Sequence, residues 1–139
     1  MTSRLNPYLS FNGNAREAMD FYRSVFGGEL NVSTFGEFGN PDPAVADKVM
    51  HAQLETDAGY TLMASDLMPD MPFNPGNTIT VSLSGDDGDR LRQYWEKLSE
   101  GGSVTMPLEK QMWGDEFGMC TDRFGTPWMV NIGQPQESA

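Results

Sequence analysis

The stretch Tyr8-Leu9-Ser10-Phe11-Asn12-Gly13 decides the fold, because a similar stretch, Thr80-Val81-Ser82-Leu83-Ser84-Gly85, opens the second half of the chain. Each stretch alternates like a strand and runs into an amphipathic helix. Each helix is expected to end at a glycine pair, Gly27-Gly28 or Gly101-Gly102. The order strand, helix, strands therefore occurs twice. Neither half is expected to bury its apolar face alone, so the halves should pack together around a cleft.

This repeat predicts an α+β fold of two βαβββ modules, with curved mixed sheets around a shared cleft. The closing stretches Gly59–Ala64 and Gly125–Val130 also resemble each other. We expect one domain over residues 1–139, with module 1 over about 4–66, a linker over about 67–77 and module 2 over about 78–133. Asn14 with Glu17 predicts a capping box at the first helix, and Asp86 or Asp87 is expected to cap the second. Strands are predicted over 5–11, 29–35, 49–55, 60–65, 78–84, 103–107, 117–121 and 127–132.

Composition excludes several classes of function. The chain has 139 residues and a net charge of −11, which would repel a nucleic-acid backbone. No apolar run approaches the roughly 18 residues that a membrane span needs, and the N-terminus has no apolar signal core. Cys120 is the single cysteine, as is usual in a reducing compartment. We therefore expect a cytoplasmic protein that binds neither nucleic acid nor membrane.

A series of short segments spans almost the whole chain: Pro7–Asn14, Ala18–Tyr22, Val25–Gly28, Val49–Ala52, Leu62–Asp66, Trp113–Asp115, Phe117–Met119 and Trp128–Asn131. In their order and spacing these segments resemble the vicinal-oxygen-chelate superfamily, which includes glyoxalase I, extradiol dioxygenases and the bleomycin and fosfomycin resistance proteins. More narrowly, the chain resembles the PhnB-like branch. The resemblance implies paired βαβββ modules and a homodimer.

The resemblance also raises the question of a metal. Enzymes of the superfamily hold a divalent ion with His and Glu on the opening and closing strands of the two modules. Here the opening positions fall near Pro7-Tyr8 and Ile79-Thr80, and the closing positions fall at Met63 and Met129. None of these side chains is a ligand that a hard divalent ion prefers. We therefore expect no family-type metal and no cofactor. Some proteins that resemble this branch are described as methyltransferases. We do not expect that activity here, because no Gly-rich loop follows a parallel strand to hold a nucleoside cofactor.

His51 is the single histidine, so a site with two histidines from one chain is excluded. His51 and Glu55 share one face of a predicted strand, and Asp66 or Asp115 could add a carboxylate oxygen. A hydrogen-bonded structural histidine is the favoured interpretation. A general base and a metal ligand remain the alternatives.

The cleft is expected to have a flexible, polarisable lining of methionine and aromatic side chains. Trp113 is the candidate for stacking on a ligand, and Gly114 is expected to let the adjoining segment approach closely. Asp115 and Glu116 are candidates for a base or for binding a polar group. The predicted ligand-binding residues are Met63, Ser65, Asp66, Trp113, Phe117, Met119 and Met129.

Three functions are compatible with these observations. The first is a metal-free homodimer that sequesters a small aromatic or cationic molecule, as resistance proteins do. The second is a divalent-metal enzyme of the glyoxalase or dioxygenase type that uses His51 and nearby carboxylates. The third is a non-catalytic dimerisation module. The missing metal ligands favour the first and third functions, and the methionines and tryptophan in the linker and irregular segments favour the first.

Overall fold

The computed structural model describes residues 3–40, 42–76 and 78–134. They form two compact units that divide between Asn74 and Pro75, within the segment predicted to link the modules. Asn77, the last residue of that predicted segment, lies outside the described residues. The first unit consists of β1 (Tyr8–Phe11), α1 (Ala15–Phe26), β2 (Glu29–Thr34), a 3-10 turn (Gly36–Phe38), β3 (Val49–Glu55) and β4 (Thr61–Asp66). The second consists of β5 (Val81–Gly85), α2 (Gly88–Ser99), β6 (Ser103–Lys110), β7 (Glu116–Thr121) and β8 (Pro127–Ile132).

The two units share one topology. The strand order is β1-β4-β3-β2 in the first sheet and β5-β8-β7-β6 in the second. The outer pairs β1/β4 and β5/β8 are parallel, and the remaining neighbours are antiparallel. This arrangement confirms the predicted fold of two βαβββ modules with mixed sheets. The shared cleft stays a prediction.

Each helix covers one face of its own sheet, as its apolar periodicity predicts. The buried residues of α1 are Ala15, Ala18, Met19, Tyr22, Val25 and Phe26. The buried residues of α2 are Leu91, Tyr94 and Leu98, while Trp95 is half-buried. The predicted caps were right in position and wrong in mechanism. Asn14 and Asp87 are the N-cap residues, but within the described chain neither side chain makes a cap hydrogen bond.

The glycine pairs after the helices have a packing reason as well as a conformational one. A Cβ atom on Gly28 would lie 2.0 Å from the backbone oxygen of Glu55, and one on Gly102 would lie 2.1 Å from the backbone oxygen of Thr121. Both positions let the chain pass closely over the end of a neighbouring strand, which only glycine permits. Gly28 and Gly102 are therefore equivalent positions of the two modules, each needed where two backbone segments pack closely.

Strand pairing corrects the alignment of the two opening strands. Tyr8 lies beside Met63 in the first sheet, and Ser82 lies beside Met129 in the second. If the two methionines are equivalent, the counterpart of Tyr8 is Ser82, and the position expected near Ile79-Thr80 was wrong by about two residues. The pairing of each opening strand with its closing strand decides this position, and the sequence repeat alone does not show it.

Candidate functional site

Each sheet has a second face, turned away from the helix of its own unit. In the first sheet the buried side chains of Ala52, Leu54 and Ala64 lie under α1. Because side chains alternate along a strand, the intervening residues lie on the opposite surface, here called the first helix-free face. Its residues include Tyr8, Ser10, His51, Gln53, Glu55, Met63 and Ser65, all half-buried or exposed. This face therefore brings together four of the predicted site residues, His51, Glu55, Met63 and Ser65.

His51 on this face is paired with a phenol. Its Nδ1 atom lies 3.4 Å from the hydroxyl oxygen of Tyr8, and the two ring centroids are 5.8 Å apart. Tyr8 is 51% exposed, so the pair lies at the surface of the unit. A phenol and an imidazole in contact can pass a proton between them. The contact also agrees with the favoured interpretation of His51 as a hydrogen-bonded histidine.

Glu55 is held by three neighbours on the same face. The Gln53 amide donates to Oε1 over 2.6 Å, the Thr61 hydroxyl donates to Oε2 over 3.2 Å, and Arg4 approaches Oε1 to 3.4 Å. The Gln53 hydrogen bond is the main reason that the pKa of Glu55 lies below its usual value, with smaller contributions from Thr61 and Arg4 against an opposing effect of burial. Glu55 is therefore an ionised carboxylate with both oxygens engaged.

The Asp66 carboxylate is buried and accepts hydrogen bonds from the backbone. Its side chain is 4% exposed. Oδ1 accepts the backbone N–H groups of Gly13 at 3.0 Å and Ala15 at 2.9 Å, and Oδ2 accepts that of Val49 at 2.9 Å. Asp66 therefore accepts a backbone N–H group at the start of α1, where the Asn14 side chain makes no cap hydrogen bond. The structure accounts for this carboxylate without a ligand, and the ligand-binding role assigned to it from sequence remains untested.

The side chains at the family's metal positions do not fit a hard divalent ion. The neighbouring pairs are Tyr8 with Met63 and Ser82 with Met129. A thioether is a soft ligand, and neutral hydroxyls bind divalent ions weakly compared with carboxylates and imidazoles. Within residues 3–40, 42–76 and 78–134, no group of three or more His, Cys, Asp or Glu side chains is placed to hold a metal.

The second helix-free face, on the second sheet, carries a row of methionines. Met119 of β7 lies directly opposite Met129 of β8 on one side and Met106 of β6 on the other. Ser82 completes the row on β5. Met119 and Met129 are half-buried and Met106 is 42% exposed, whereas Trp128 and Cys120 on the helix side are almost fully buried. The predicted residues Phe117, Met119 and Met129 thus lie on one surface.

The hairpin between β6 and β7 presents an exposed indole next to this face. Trp113 is 63% exposed, and its ring contacts that of Phe117 edge to face, with centroids 6.2 Å apart. Beside the pair, the Asp115 carboxylate accepts a hydrogen bond of 3.0 Å from the Asn131 amide. Gly114 has a φ of +99° with open space around its Cβ direction. The expected close approach at Gly114 was therefore wrong, and its glycine serves the left-handed turn.

Glu116 turns toward the helix side of the second sheet. Its carboxylate pairs with the Arg92 guanidinium of α2, which raises the pKa of Arg92. The pair borders a cavity of about 400 Å³. Its lining residues are Asp86, Asp87, Gly88, Asp89, Arg92, Glu116, Ile132, Gly133 and Gln134. Asp115 and Glu116, which are neighbours in the sequence, therefore have separate surroundings.

Sequence reasoning missed Met106 and Asn131 as members of the second helix-free face. Asn131 could have been found, since it alternates with Met129 along β8. Met106 could not, because β6 contains two register shifts, one between Val104 and Met106 and one between Met106 and Glu109. Tyr8 was considered only as a metal ligand, and its contact with His51 depends on the pairing of β1 with β4 and of β4 with β3.

Comparison with known proteins agrees with this fold. A family model described as 3-demethylubiquinone-9 3-methyltransferase matches residues 3–131. YjdN of Escherichia coli strain K12 is 31% identical over 148 residues, which cover 95% of this chain and 97% of that protein. PA1353 from Pseudomonas aeruginosa, whose crystal structure is known, is 41% identical in sequence. Its structure matches with a TM-score of 0.86 over 96% of this chain and 100% of that one.

Two more distant structures show the fold alone. A Bacillus cereus PhnB protein, described as a putative 3-demethylubiquinone-9 3-methyltransferase, is 23% identical with a TM-score of 0.72, over 94% of this chain and 100% of that one. A glyoxylase/bleomycin resistance protein/dioxygenase domain from Frankia is 13% identical with a TM-score of 0.66, over 96% and 99%. The chain therefore belongs to the family described as 3-demethylubiquinone-9 3-methyltransferase, and it shares its fold with the PhnB protein and with the glyoxylase/bleomycin resistance protein/dioxygenase domain.

Proposed function

We propose that this protein binds a small, planar, cationic organic molecule on the second helix-free face, without a metal, and that it works as a homodimer. One observation carries the proposal. Two facing, half-buried methionines, Met119 and Met129, lie on the same sheet face as Phe117, whose ring contacts the exposed indole of Trp113. Apolar side chains that remain partly exposed on an otherwise folded unit indicate a binding surface.

The methionines suit a ligand of variable shape. Unbranched thioether side chains adapt to irregular surfaces and make favourable contacts with aromatic rings. Their burial by a ligand would contribute roughly 25 cal/mol for each Å² of apolar surface removed from water. The same positions would pack a dry core equally well if they were fully buried, so their partial exposure is the feature that supports binding.

The aromatic pair and the carboxylate favour a planar cation. Stacking on an indole contributes about 0.5–1.5 kcal/mol beyond the burial of area, and a cation over the ring face gains about 0.5–2 kcal/mol more. Asp115 lies beside this pair, with one oxygen accepting from Asn131. The net charge of −11 adds a long-range attraction for cations that salt weakens.

Methyl transfer, which the family description names, is not supported by the residues present. A nucleoside cofactor is commonly held by backbone N–H groups of a glycine-rich turn at a helix N-terminus after a parallel strand. At the turn after β1, the N–H groups of Gly13 and Ala15 already donate to Asp66, so they are not free to bind a cofactor. The sheets are also small and mixed rather than doubly wound.

The metal-enzyme alternative has less support than the binding protein. His51 Nδ1 faces the hydroxyl of Tyr8, and both oxygens of Glu55 accept hydrogen bonds from other neighbours. An exposed Trp113 suits a dimer interface as well as a ligand, and the positioned Asp115 carboxylate close to it favours a polar or cationic ligand. The homodimer itself and a cytoplasmic location remain part of the proposal. No helix in the described ranges is long and apolar enough to cross a membrane.

Ethidium, a planar aromatic cation, is the probe that tests the proposal, with the anion anilinonaphthalene sulfonate as its counterpart. Titrations followed by ligand fluorescence should show ethidium binding that weakens with added salt. Trp113→Ala should weaken it roughly two- to tenfold, the equivalent of the stacking contribution. Met112→Ala is the matched control, because Met112 is the neighbouring, fully exposed residue of the same hairpin.

Two further results separate a binding role of Trp113 from a structural one. Since its side chain is 63% exposed, Trp113→Ala should leave the melting temperature nearly unchanged. Asp115→Asn should weaken ethidium binding and favour the anionic dye. Unchanged ethidium affinity in Trp113→Ala, or equal losses in Trp113→Ala and Met112→Ala, would show that the ligand binds elsewhere.

A further inference from the structure

The methionine row has a chemical property that the proposed organic ligand does not use. Met106, Met119 and Met129 come from three adjacent strands and are directly opposite one another in the sheet. Directly opposed residues lie on the same face, with Cβ atoms about 4.5–5.5 Å apart in a regular pair, and the pair of Met106 with Met119 lies between two register shifts of β6. A methionine side chain is long enough to bridge that spacing. We propose that these three thioethers form a binding site for Cu(I).

The geometry suits a single ion above the middle strand. Met119 lies at the centre of the row, and the outer side chains of Met106 and Met129 can lean inward over it without any change in the backbone. Each has three rotatable bonds, so converging the three sulfur atoms requires only rotamer changes. No other arrangement of three methionines at neighbouring strand positions occurs in the described strands.

The three sulfur atoms are accessible because the row is not part of the core. Met106 is 42% exposed, and Met119 and Met129 are half-buried. By contrast, Met19 of α1 is 0% exposed and fills the core of the first unit. Cys120 lies on the opposite surface of β7 and is 1% exposed, so the thiol is not available to complete the site.

The ligand set selects the ion. Thioethers are soft, neutral ligands that favour Cu(I) and bind zinc or magnesium poorly. The site would carry the charge of the ion alone, and the acidic chain, with a net charge of −11, favours a bound cation. Phe117 lies on the same face, two positions from Met119 along β7, so its ring borders one side of the row. The copper ion keeps its oxidation state on binding, because coordination by thioethers transfers no electron.

Cu(I) binding goes beyond the proposed function and can fail separately from it. Replacing methionine with leucine keeps most of the apolar surface but removes the sulfur. Met106→Leu, a position that the proposed organic ligand site does not use, should therefore keep ethidium binding and lose Cu(I). Trp113→Ala should do the reverse, because Trp113 is outside the row.

The experiment is an anaerobic titration of the full chain with Cu(I) in competition with a chromogenic Cu(I) chelator of known affinity. We expect one Cu(I) per chain, and a loss of affinity of roughly tenfold or more in each of Met106→Leu, Met119→Leu and Met129→Leu, which is about 1.4 kcal/mol of binding free energy. Met112→Leu is the matched control, since Met112 is fully exposed on the adjacent hairpin and outside the row. Circular dichroism should show that the variants remain folded.

A second measurement identifies the sulfur atoms. With Ag(I) as a redox-inert substitute for Cu(I) and methyl-labelled methionine, NMR should show shifts of the Met106, Met119 and Met129 methyl signals and no shift for Met112. Absence of Cu(I) uptake in competition with the chelator would overturn the proposal. So would uptake that Met119→Leu leaves unchanged, or uptake that disappears in Cys120→Ala.

Discussion

Asp66→Ala tests the strongest structural conclusion, that this carboxylate joins three parts of the first unit. It accepts backbone hydrogen bonds from Gly13, Ala15 and Val49 at 3.0, 2.9 and 2.9 Å. Ala15 is 0% exposed and Val49 is 1% exposed, whereas Gly13 is exposed. Water can replace the carboxylate at Gly13 but has poor access to the other two N–H groups.

The expected loss follows from those two buried donors. Leaving a buried N–H group without a partner costs about 1–3 kcal/mol, so the variant should lose about 2–6 kcal/mol of unfolding free energy. That is a large fraction of the roughly 5–15 kcal/mol that stabilises an ordinary domain. Asp66→Asn should also lose stability, because both oxygens accept hydrogen bonds and the amide supplies only one acceptor.

Urea unfolding followed by far-UV circular dichroism measures the effect, with Asp70→Ala as the control. Asp70 is an exposed carboxylate just beyond β4, and its removal should change stability by less than about 0.5 kcal/mol. If Asp66→Ala unfolds at the same urea concentration as the unchanged protein but loses ethidium binding, Asp66 is a ligand residue and does not hold the first unit together.

Three further predictions concern Cys120, the oligomer and the divalent metal. Burial, and secondarily Asp122, raises the pKa of the Cys120 thiol from 9.0 to about 11. The unfolded chain therefore loses this proton at a lower pH than the folded chain, so the unfolding free energy should fall as pH rises from about 9 to about 11. Urea titrations at each pH should show this fall, and Cys120→Ala should remove it. Sedimentation at micromolar concentration should show a homodimer, and a species of only 15.4 kDa would contradict it. Elemental analysis after purification without chelator should show no stoichiometric zinc, iron, nickel or manganese; any such metal that disappears in His51→Ala would overturn the metal-free proposal.

Much of the fold could be predicted from local patterns. Periodicity marked the buried face of α1, and alternation marked β3 and β8 with bounds that the structure reproduces. These features depend on neighbours three or four residues apart in a helix and two apart in a strand, so the sequence contains them directly. The internal repeat marked Met129 as a closing-strand position, but it did not show that Met119 lies directly opposite it.

The function of individual polar residues depended on contacts between distant parts of the chain. Asp66 looked like a carboxylate near a ligand, but the ends of β1 and β3 bring three N–H groups to it. Glu116 follows Asp115 directly in the sequence, but alternation along β7 and the position of α2 direct it to Arg92. Neither contact leaves a local pattern, because the partners are distant in sequence.

The sequence by itself determined that the chain has two βαβββ modules, an acidic surface and methionines at the closing-strand positions of the family's metal site. Tertiary structure decided which side chains meet: Tyr8 with His51, Met106 with Met119 and Met129, and Trp113 with Phe117. The physical reason is register. A shift of one residue between paired strands moves every side chain to the other face, and here the bulges in β6 decide which of its residues lies opposite Met119.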